Sequence, residues 1–195
     1  MIVEQNVDMD TDNISDPDFY INASDRELFV LYNQPTIQNN PQRLAQIVHE
    51  ARQRLETRSL ARFPLTPNEN DTMKTVLDIG NCDADHLFLT TMLTSNFDAT
   101  VLRAHKLADA ISALENNSVD LIMINRLLDV DGSEGMDVFQ EIKSNEKFKS
   151  IPAMLITNFD DHQEKAVAAG AIRGFGKSAL SSDATKELIK EALSV

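Results

Sequence analysis

The stretch VDLIMINRLLDVDGSEG, residues 119–135, places four consecutive apolar side chains directly before a single polar one. The run from Leu121 to Ile124 is typical of a parallel strand covered on both faces, and Asn125 ends it. In open α/β sheets, functional sites are built at the carboxyl ends of such strands. An aspartate there could act as a nucleophile or metal ligand, whereas an amide has no charge and is a poor nucleophile. The stretch therefore predicts a binding module rather than an enzyme.

Strand-like and helix-like segments alternate from residue 73 to residue 195. The predicted strands cover residues 75–79, 99–102, 121–125, 152–157 and 171–176, and a last helix covers residues 183–193. This alternation implies right-handed crossovers and a parallel sheet with helices on both faces. The sequence thus predicts a doubly wound, five-stranded α/β domain over residues 73–195.

The residues before this domain divide into three segments. Residues 1–23 carry only acidic charges and predict a flexible tail. Residues 24–58 predict a helical extension, since Ser24 and Glu27 form a capping-box pattern and Asn40 precedes Pro41 at a second helix start. The apolar stripe of that second helix could cover the following domain, pair with its copy in a homodimer, or bind another protein. Residues 59–72, which are polar and contain two prolines, predict a linker.

The charge and cysteine content exclude several function classes. The formal net charge of -13 disfavours binding to nucleic acid or to an anionic membrane surface. Cys82 is the only cysteine, so neither an internal disulfide nor a thiolate metal cluster can form. The acidic start does not match a signal peptide, and no apolar run reaches the length of a membrane span. We expect a cytoplasmic protein.

The order and spacing of several short motifs resemble the receiver domain of bacterial two-component response regulators. The motifs are DLIMIN before a loop, GMDVFQEIK, IPAMLIT, AVAAGA and GFGKSAL. The resemblance covers residues 73–195 and implies the flavodoxin-like fold, with strand order 2-1-3-4-5 and a place in two-component signal transduction or a phosphorelay.

The resemblance also implies a set of site positions. Asn125 matches the phosphoacceptor aspartate, and Gly80 and Asn81 match the acidic pair that helps to hold magnesium. Thr157 matches the switch hydroxyl and Lys177 the conserved lysine, while the place of the switch aromatic is Gly174, one residue before Phe175. Asp83 and Arg126 are expected as neighbours of this pocket. Lys177 could bond Asn125 and backbone carbonyls, or pair with an acid such as Asp83.

These departures decide the expected function. Phosphoryl transfer to a carboxylate needs that carboxylate and a divalent cation, and Mg²⁺ prefers anionic oxygen ligands. With neutral residues at all three positions, we expect no catalytic residue, no metal and no cofactor. The predicted function is that of a pseudo-receiver, a bacterial signalling protein that acts through contact with a protein partner. The alternative is a phosphorylatable response regulator that uses Mg²⁺ and a displaced acid among Asp83, Asp129 and Asp131.

Other chemistry finds no support in the sequence. It lacks a nucleophile elbow, a P-loop and a glycine-rich dinucleotide loop. The four histidines are scattered and are interpreted as structural; they are His49, His86, His105 and His162.

Overall fold

The computed structural model describes residues 20, 23–61 and 73–194. The chain divides into two compact units, residues 1–50 and residues 51–195. Most of the predicted acidic tail and of the predicted linker lies outside the described residues. The predicted domain boundaries therefore stay predictions.

Two helices, those that follow Ser24 and Asn40, begin where the sequence predicts, and a short helix between them was not predicted. Helix α1 spans Asp25–Tyr32, α2 spans Pro35–Gln38, and α3 spans Pro41–Ala61 and so continues into the second unit. The Ser24 side chain accepts a hydrogen bond from the Glu27 amide at 3.2 Å, and the Glu27 carboxylate accepts one from the Ser24 amide at 2.6 Å. Asn40 caps α3 by accepting from the Arg43 amide at 3.2 Å. Helix α3 ends three residues beyond the predicted Arg58.

The second unit contains a parallel sheet flanked by helices. Its strands are β1 (Lys74–Ile79), β2 (Ala99–Ala104), β3 (Leu121–Asn125) and β4 (Ala153–Ile156), in the order β2-β1-β3-β4. The helices that follow are α4 (Asp83–Asn96), α5 (Leu107–Asn116), α6 (Gly135–Ser144), α7 (Asp160–Ala168) and α8 (Asp183–Leu193). A helix follows each strand along the chain, and all three pairs of neighbouring strands are parallel, as the predicted alternation requires.

Both faces of the sheet are buried. On one face, Leu77, Ile124 and Leu155 form a core with Leu114 of α5 and Phe139 of α6. The alternate positions of the same strands point to the other face and are also buried; they include Val76, Asp78, Leu121, Met123, Met154 and Ile156. The long apolar run of β3 follows from this double coverage.

The segment 171–176, predicted as a fifth strand, is only partly paired with β4. Ile172 forms an isolated parallel bridge with Met154, and its amide donates to the Ala153 carbonyl at 2.9 Å. Further on, the Thr157 amide donates to the Phe175 carbonyl at 3.0 Å. In the part of the chain that the structure describes, the sheet therefore has four strands, and a fifth segment lies along the edge of β4.

Among the described residues, no helix has both the length and the apolar content needed to cross a membrane.

Gly135 brings the start of α6 against the end of β3. A Cβ atom at this position would lie 2.2 Å from the backbone oxygen of Asn125. We expect Gly135→Ala to displace α6 and to lower the free energy of unfolding by about 1–3 kcal/mol in urea denaturation, as overpacking does. Gln140→Ala, an exposed change on the same helix, should stay within about 0.5 kcal/mol of wild type. Equal stability of the two variants would contradict the close approach.

Candidate functional site

Asn125 lies at the carboxyl end of β3, as predicted, and joins two loops through its amide nitrogen. Strand pairing sets Ile124 beside Ile79, so Asn125 is level with Gly80. The Asn125 Nδ2 atom donates to the Gly80 carbonyl at 3.0 Å and to the Leu127 carbonyl at 2.6 Å. The side chain is largely buried, with 9% of the residue exposed. Both protons of the amide are therefore used to hold the loop after β1 to the loop after β3.

Gly80, the first position matched to the acidic pair, has no room for a side chain. Its φ angle is +78°, in the left-handed region that favours glycine. A Cβ atom would lie 2.4 Å from Cγ of Leu128, which is 2% exposed and belongs to the core. The Asp129 amide also donates to the Gly80 carbonyl at 3.0 Å. The loop after β3 thus closes directly over this position.

Asn81, the second position of the pair, binds a buried carboxylate that sequence reasoning missed. Its Nδ2 atom donates to Asp78 Oδ1 at 2.7 Å, and His86 Nδ1 lies 2.6 Å from Asp78 Oδ2. Asp78 is completely buried. An ionised carboxylate only accepts hydrogen bonds, so when Asp78 is ionised the Nδ1 atom of His86 is the donor. The Asn81 Oδ1 atom is buried and accepts no hydrogen bond from the described residues.

The sequence does carry a signal for this pair. Asp78 interrupts the apolar strand sequence VLDI, and a buried acid requires a partner. His86 lies on the first part of α4, the helix that directly follows β1. His86 is one of the four histidines predicted to be structural, and no partner was predicted for it. The structure gives it one.

Lys177 forms an ion pair with Asp85 rather than with Asp83. The Lys177 Nζ atom lies 2.6 Å from Asp85 Oδ2, and both side chains are mostly shielded from solvent. Asp83 instead pairs with Arg103 at 2.7 Å, and this hydrogen bond lowers the pKa of the exposed Asp83 carboxyl. Residues two apart on a helix point about 200° apart, so only one of the two acids can face Lys177.

Cys82 completes this group as a protonated thiol. It precedes the first residue of α4, and its Sγ atom donates to Asp85 Oδ2 at 3.2 Å. Burial raises the pKa of the Cys82 thiol above its ordinary value. A protonated thiol is a weak nucleophile, so the geometry supports a hydrogen-bonding role for Cys82.

Thr157 and Arg126 lie at the same edge of the sheet, but their side chains are bound locally. The buried Thr157 hydroxyl accepts from the Phe159 amide at 3.2 Å, at the start of α7. The Arg126 guanidinium lies 5.2 Å from the centroid of the Phe159 ring, within cation–π range. The hydrogen bond of Thr157 and the ring contact of Arg126 are therefore separate from the Lys177–Asp85 pair.

A divalent cation does not fit these residues. Mg²⁺ requires oxygen ligands, usually including a carboxylate, yet Asn125 presents its nitrogen and Asp85 is already paired with Lys177. Within residues 20, 23–61 and 73–194, no three His, Cys, Asp or Glu side chains group so as to hold a metal ion.

The architecture and the polar edge together define a class. A parallel sheet with helices on both faces and polar residues at the carboxyl ends of β1, β3 and β4 is the arrangement of a doubly wound α/β domain of the flavodoxin-like type. The structural neighbours of the chain are response regulator receiver domains of the CheY-like type. The neighbours agree with the resemblance in the sequence motifs.

Three solved structures illustrate the likeness. The signal receiver domain of a DNA-binding response regulator from Colwellia psychrerythraea 34H is 26% identical, with a TM-score of 0.54 over 63% of this chain and 99% of that one. A response regulator from Thermotoga maritima is 20% identical, with a TM-score of 0.53 over 64% and 100% of the two chains. A response regulator receiver protein from Pseudomonas putida is 13% identical, with a TM-score of 0.52 over 62% and 98%. No family model matches the sequence, and no curated protein matches it.

Loss of the His86 imidazole should leave the buried Asp78 carboxylate with a single side-chain partner, the Asn81 amide. We expect His86→Ala to lower the free energy of unfolding by about 3 kcal/mol, because removing one member of a buried pair strands the other. Adding Asp78→Asn removes the stranded charge and keeps an acceptor for Asn81, so the double variant should be more stable than His86→Ala alone. Urea titration of wild type, His86→Ala, Asp78→Asn and the double variant measures the coupling. Additive losses would show that the two side chains do not interact.

Proposed function

We propose that residues 73–195 form a pseudo-receiver, a signalling domain that acts through a protein partner without being phosphorylated. The receiver fold supports the signalling role. The composition of the site supports the absence of phosphorylation. We further propose that the segment 171–176 takes the edge position of the fifth strand, so that the order of the receiver fold, 2-1-3-4-5, is kept. We also propose that the protein works in the cytoplasm of a bacterium and that it catalyses no reaction.

One observation carries this proposal: side chains of the chain itself already bind at the acceptor position and at the conserved lysine, the two places where a phosphoryl group would bind. The Asn125 amide nitrogen lies between two carbonyl oxygens, where it supplies the positive end of a dipole. The Asp85 carboxylate pairs with the Lys177 ammonium and so takes the position of the anion that this lysine would otherwise bind. Transfer of a phosphoryl group requires a cation and a carboxylate nucleophile instead.

The contact between Asn125 and the two carbonyls supports metal independence. Two carbonyl oxygens that point at one site repel each other unless a positive group lies between them. Nδ2 is 3.0 Å from the Gly80 oxygen and 2.6 Å from the Leu127 oxygen, so the amide protons take this role. The loops are then held together without an ion.

The pair between Lys177 and Asp85 supports a fixed state of the lysine. Asp85 Oδ2 lies 2.6 Å from Nζ and also accepts from the Cys82 thiol. An incoming phosphoryl group would have to displace this carboxylate and would leave it without its cation. Truncating one member of a shielded charge pair is costly, so the internal anion competes with any external one.

The displaced acids of the alternative are poorly placed. Asp129 and Asp131 are exposed in the loop after β3, and the Asp131 carboxylate accepts the Ser133 amide at 3.0 Å, which lowers the pKa of its carboxyl. Asp83 pairs with Arg103. In the described part of the chain, the carboxylate bound to Lys177 is that of Asp85.

Placing acids at Gly80 and Asn81 would disturb the structure around them. Gly80→Asp would force a side chain into a left-handed residue against Leu128. Asn81→Asp would set a second carboxylate beside Asp78 in place of the amide that donates to it. The departures from the receiver pattern at Gly80 and Asn81 are therefore built into the packing around them.

A small phosphodonor tests the proposal directly. We expect the full-length protein to gain no covalent phosphate from acetyl phosphate with Mg²⁺. The acceptor position holds the Asn125 amide, and among the described residues no three His, Cys, Asp or Glu side chains group so as to hold a metal ion. Intact-mass spectrometry measures the product, with a phosphorylatable receiver domain treated in parallel. Stoichiometric phosphorylation would overturn the proposal, and peptide mapping would then identify the acceptor.

Asn125→Asp tests the role of the amide nitrogen. The new carboxylate would face the Gly80 and Leu127 carbonyls, and losing these hydrogen bonds should lower the free energy of unfolding by about 1–3 kcal/mol. The three oxygens would suit Mg²⁺, so the melting temperature of this variant should rise when Mg²⁺ is added. Wild type and Gln140→Glu, which adds the same charge on exposed α6, should not respond. A wild-type response equal to that of the variant would refute metal independence.

A further inference from the structure

Helix α7 is attached to the sheet by very little apolar surface. Its buried side chains are Gln163 and Ala166. Val167 is exposed, and so is Phe159 just before the helix. Hydrophobic stabilisation scales with the apolar area that is buried, so one alanine methyl group cannot hold this helix in place. The attachment must depend on the other buried side chain.

Gln163 binds the sheet edge with both ends of its amide. Its Nε2 atom donates to the Leu155 carbonyl at 3.1 Å and to the Thr157 carbonyl at 3.2 Å. Its Oε1 atom accepts from the Gly174 amide at 2.9 Å. The residue is 4% exposed. One side chain therefore joins α7, the end of β4 and the edge segment 171–176.

The Gln163 amide lies where a bond of the sheet would otherwise form. The Ile172 amide donates to the Ala153 carbonyl, and the next bond of a regular parallel ladder would run from the Gly174 amide to the Leu155 carbonyl. Both of these groups bind Gln163 instead. This insertion explains why residues 171–176 form a single bridge rather than a strand.

Gly174 makes this arrangement sterically allowed. A Cβ atom at Gly174 would lie 2.0 Å from the Leu155 oxygen, so any side chain at this position would force the edge segment away from β4. The place that the receiver pattern gives to an aromatic residue is thus empty of side-chain atoms. The amide of Gln163, which comes from the adjacent helix, binds at the same point of the edge.

We propose that Gln163 is a latch that sets the balance between a docked and an undocked state of α7 while the rest of the sheet stays folded. Of the helix, undocking exposes the Ala166 methyl group, the Gln163 amide and the half-buried His162 ring to water. The Gly174 amide and the Leu155 carbonyl then bind water. The proposal concerns the docking of α7, and it holds whether or not the site at Asn125 is ever phosphorylated.

The remaining contacts of α7 are too weak to replace the latch. Arg173 of the edge segment lies 3.4 Å from Asp160, but both side chains are mostly exposed, and exposed ion pairs contribute little. A released nine-residue helix would be too short to stay folded alone. Undocking should therefore appear as faster hydrogen exchange throughout α7.

Residue-resolved native-state hydrogen exchange on the full-length chain tests the latch. In Gln163→Ala we expect the protection of the Gly174 amide and of the α7 amides to fall by at least about tenfold, because their opening no longer breaks these hydrogen bonds. Protection of β1 and β3 should change less than twofold after the change in global stability is subtracted. Gln140→Ala on α6 is the matched control and should leave all of these values unchanged.

A second variant keeps the test valid if the alanine variant does not fold. Gln163→Glu preserves the size of the side chain but removes the Nε2 donor and turns a carboxylate toward two carbonyl oxygens, so it should release α7 selectively as well. The latch is overturned if α7 keeps its wild-type protection in both variants. It is also overturned if α7, β1 and β3 lose protection by the same factor, which would indicate a residue that only supports global stability.

Discussion

The amide nitrogen of Asn125 lies between the carbonyl oxygens of Gly80 and Leu127, and the polar edge of the sheet is organised around this contact. Those two carbonyls belong to different loops, which would otherwise repel each other at close range. By joining them, one neutral side chain fixes the loop after β3 over Gly80 and lets Leu128 enter the core. The residue that ends the apolar strand thus holds two loops of the site together.

The charges near this contact are neutralised within the chain. Lys177 pairs with Asp85, Asp83 with Arg103, and Asp78 lies beside His86. Although the chain carries a formal net charge of -13, the Lys177 ammonium at this edge of the sheet already has a carboxylate partner within the chain. An anion that approached Lys177 would have to break its existing pair with Asp85.

The sequence predicted the parallel sheet, four of its strands, the helix caps at Ser24 and Asn40, and the position of Asn125 at the strand end. Apolar runs and capping patterns report burial and helix starts directly, so these features could be predicted. The partner of Lys177 could not, because Asp83 and Asp85 differ only in the direction they point around α4. The incomplete fifth strand could not be predicted either: its interruption depends on a side chain of α7, and no periodicity within residues 171–176 records the position of Gln163.

The sparse burial of α7 has a consequence for how this surface can diverge. Most positions of the helix face water, and substitutions at such positions usually change stability by less than about 0.5 kcal/mol. Selection could therefore rewrite the outward side of α7, in charge or in shape, with little penalty to the sheet beneath it. The outward surface of α7 could thus change in evolution independently of the fold, provided that the inward-facing Gln163 amide is kept.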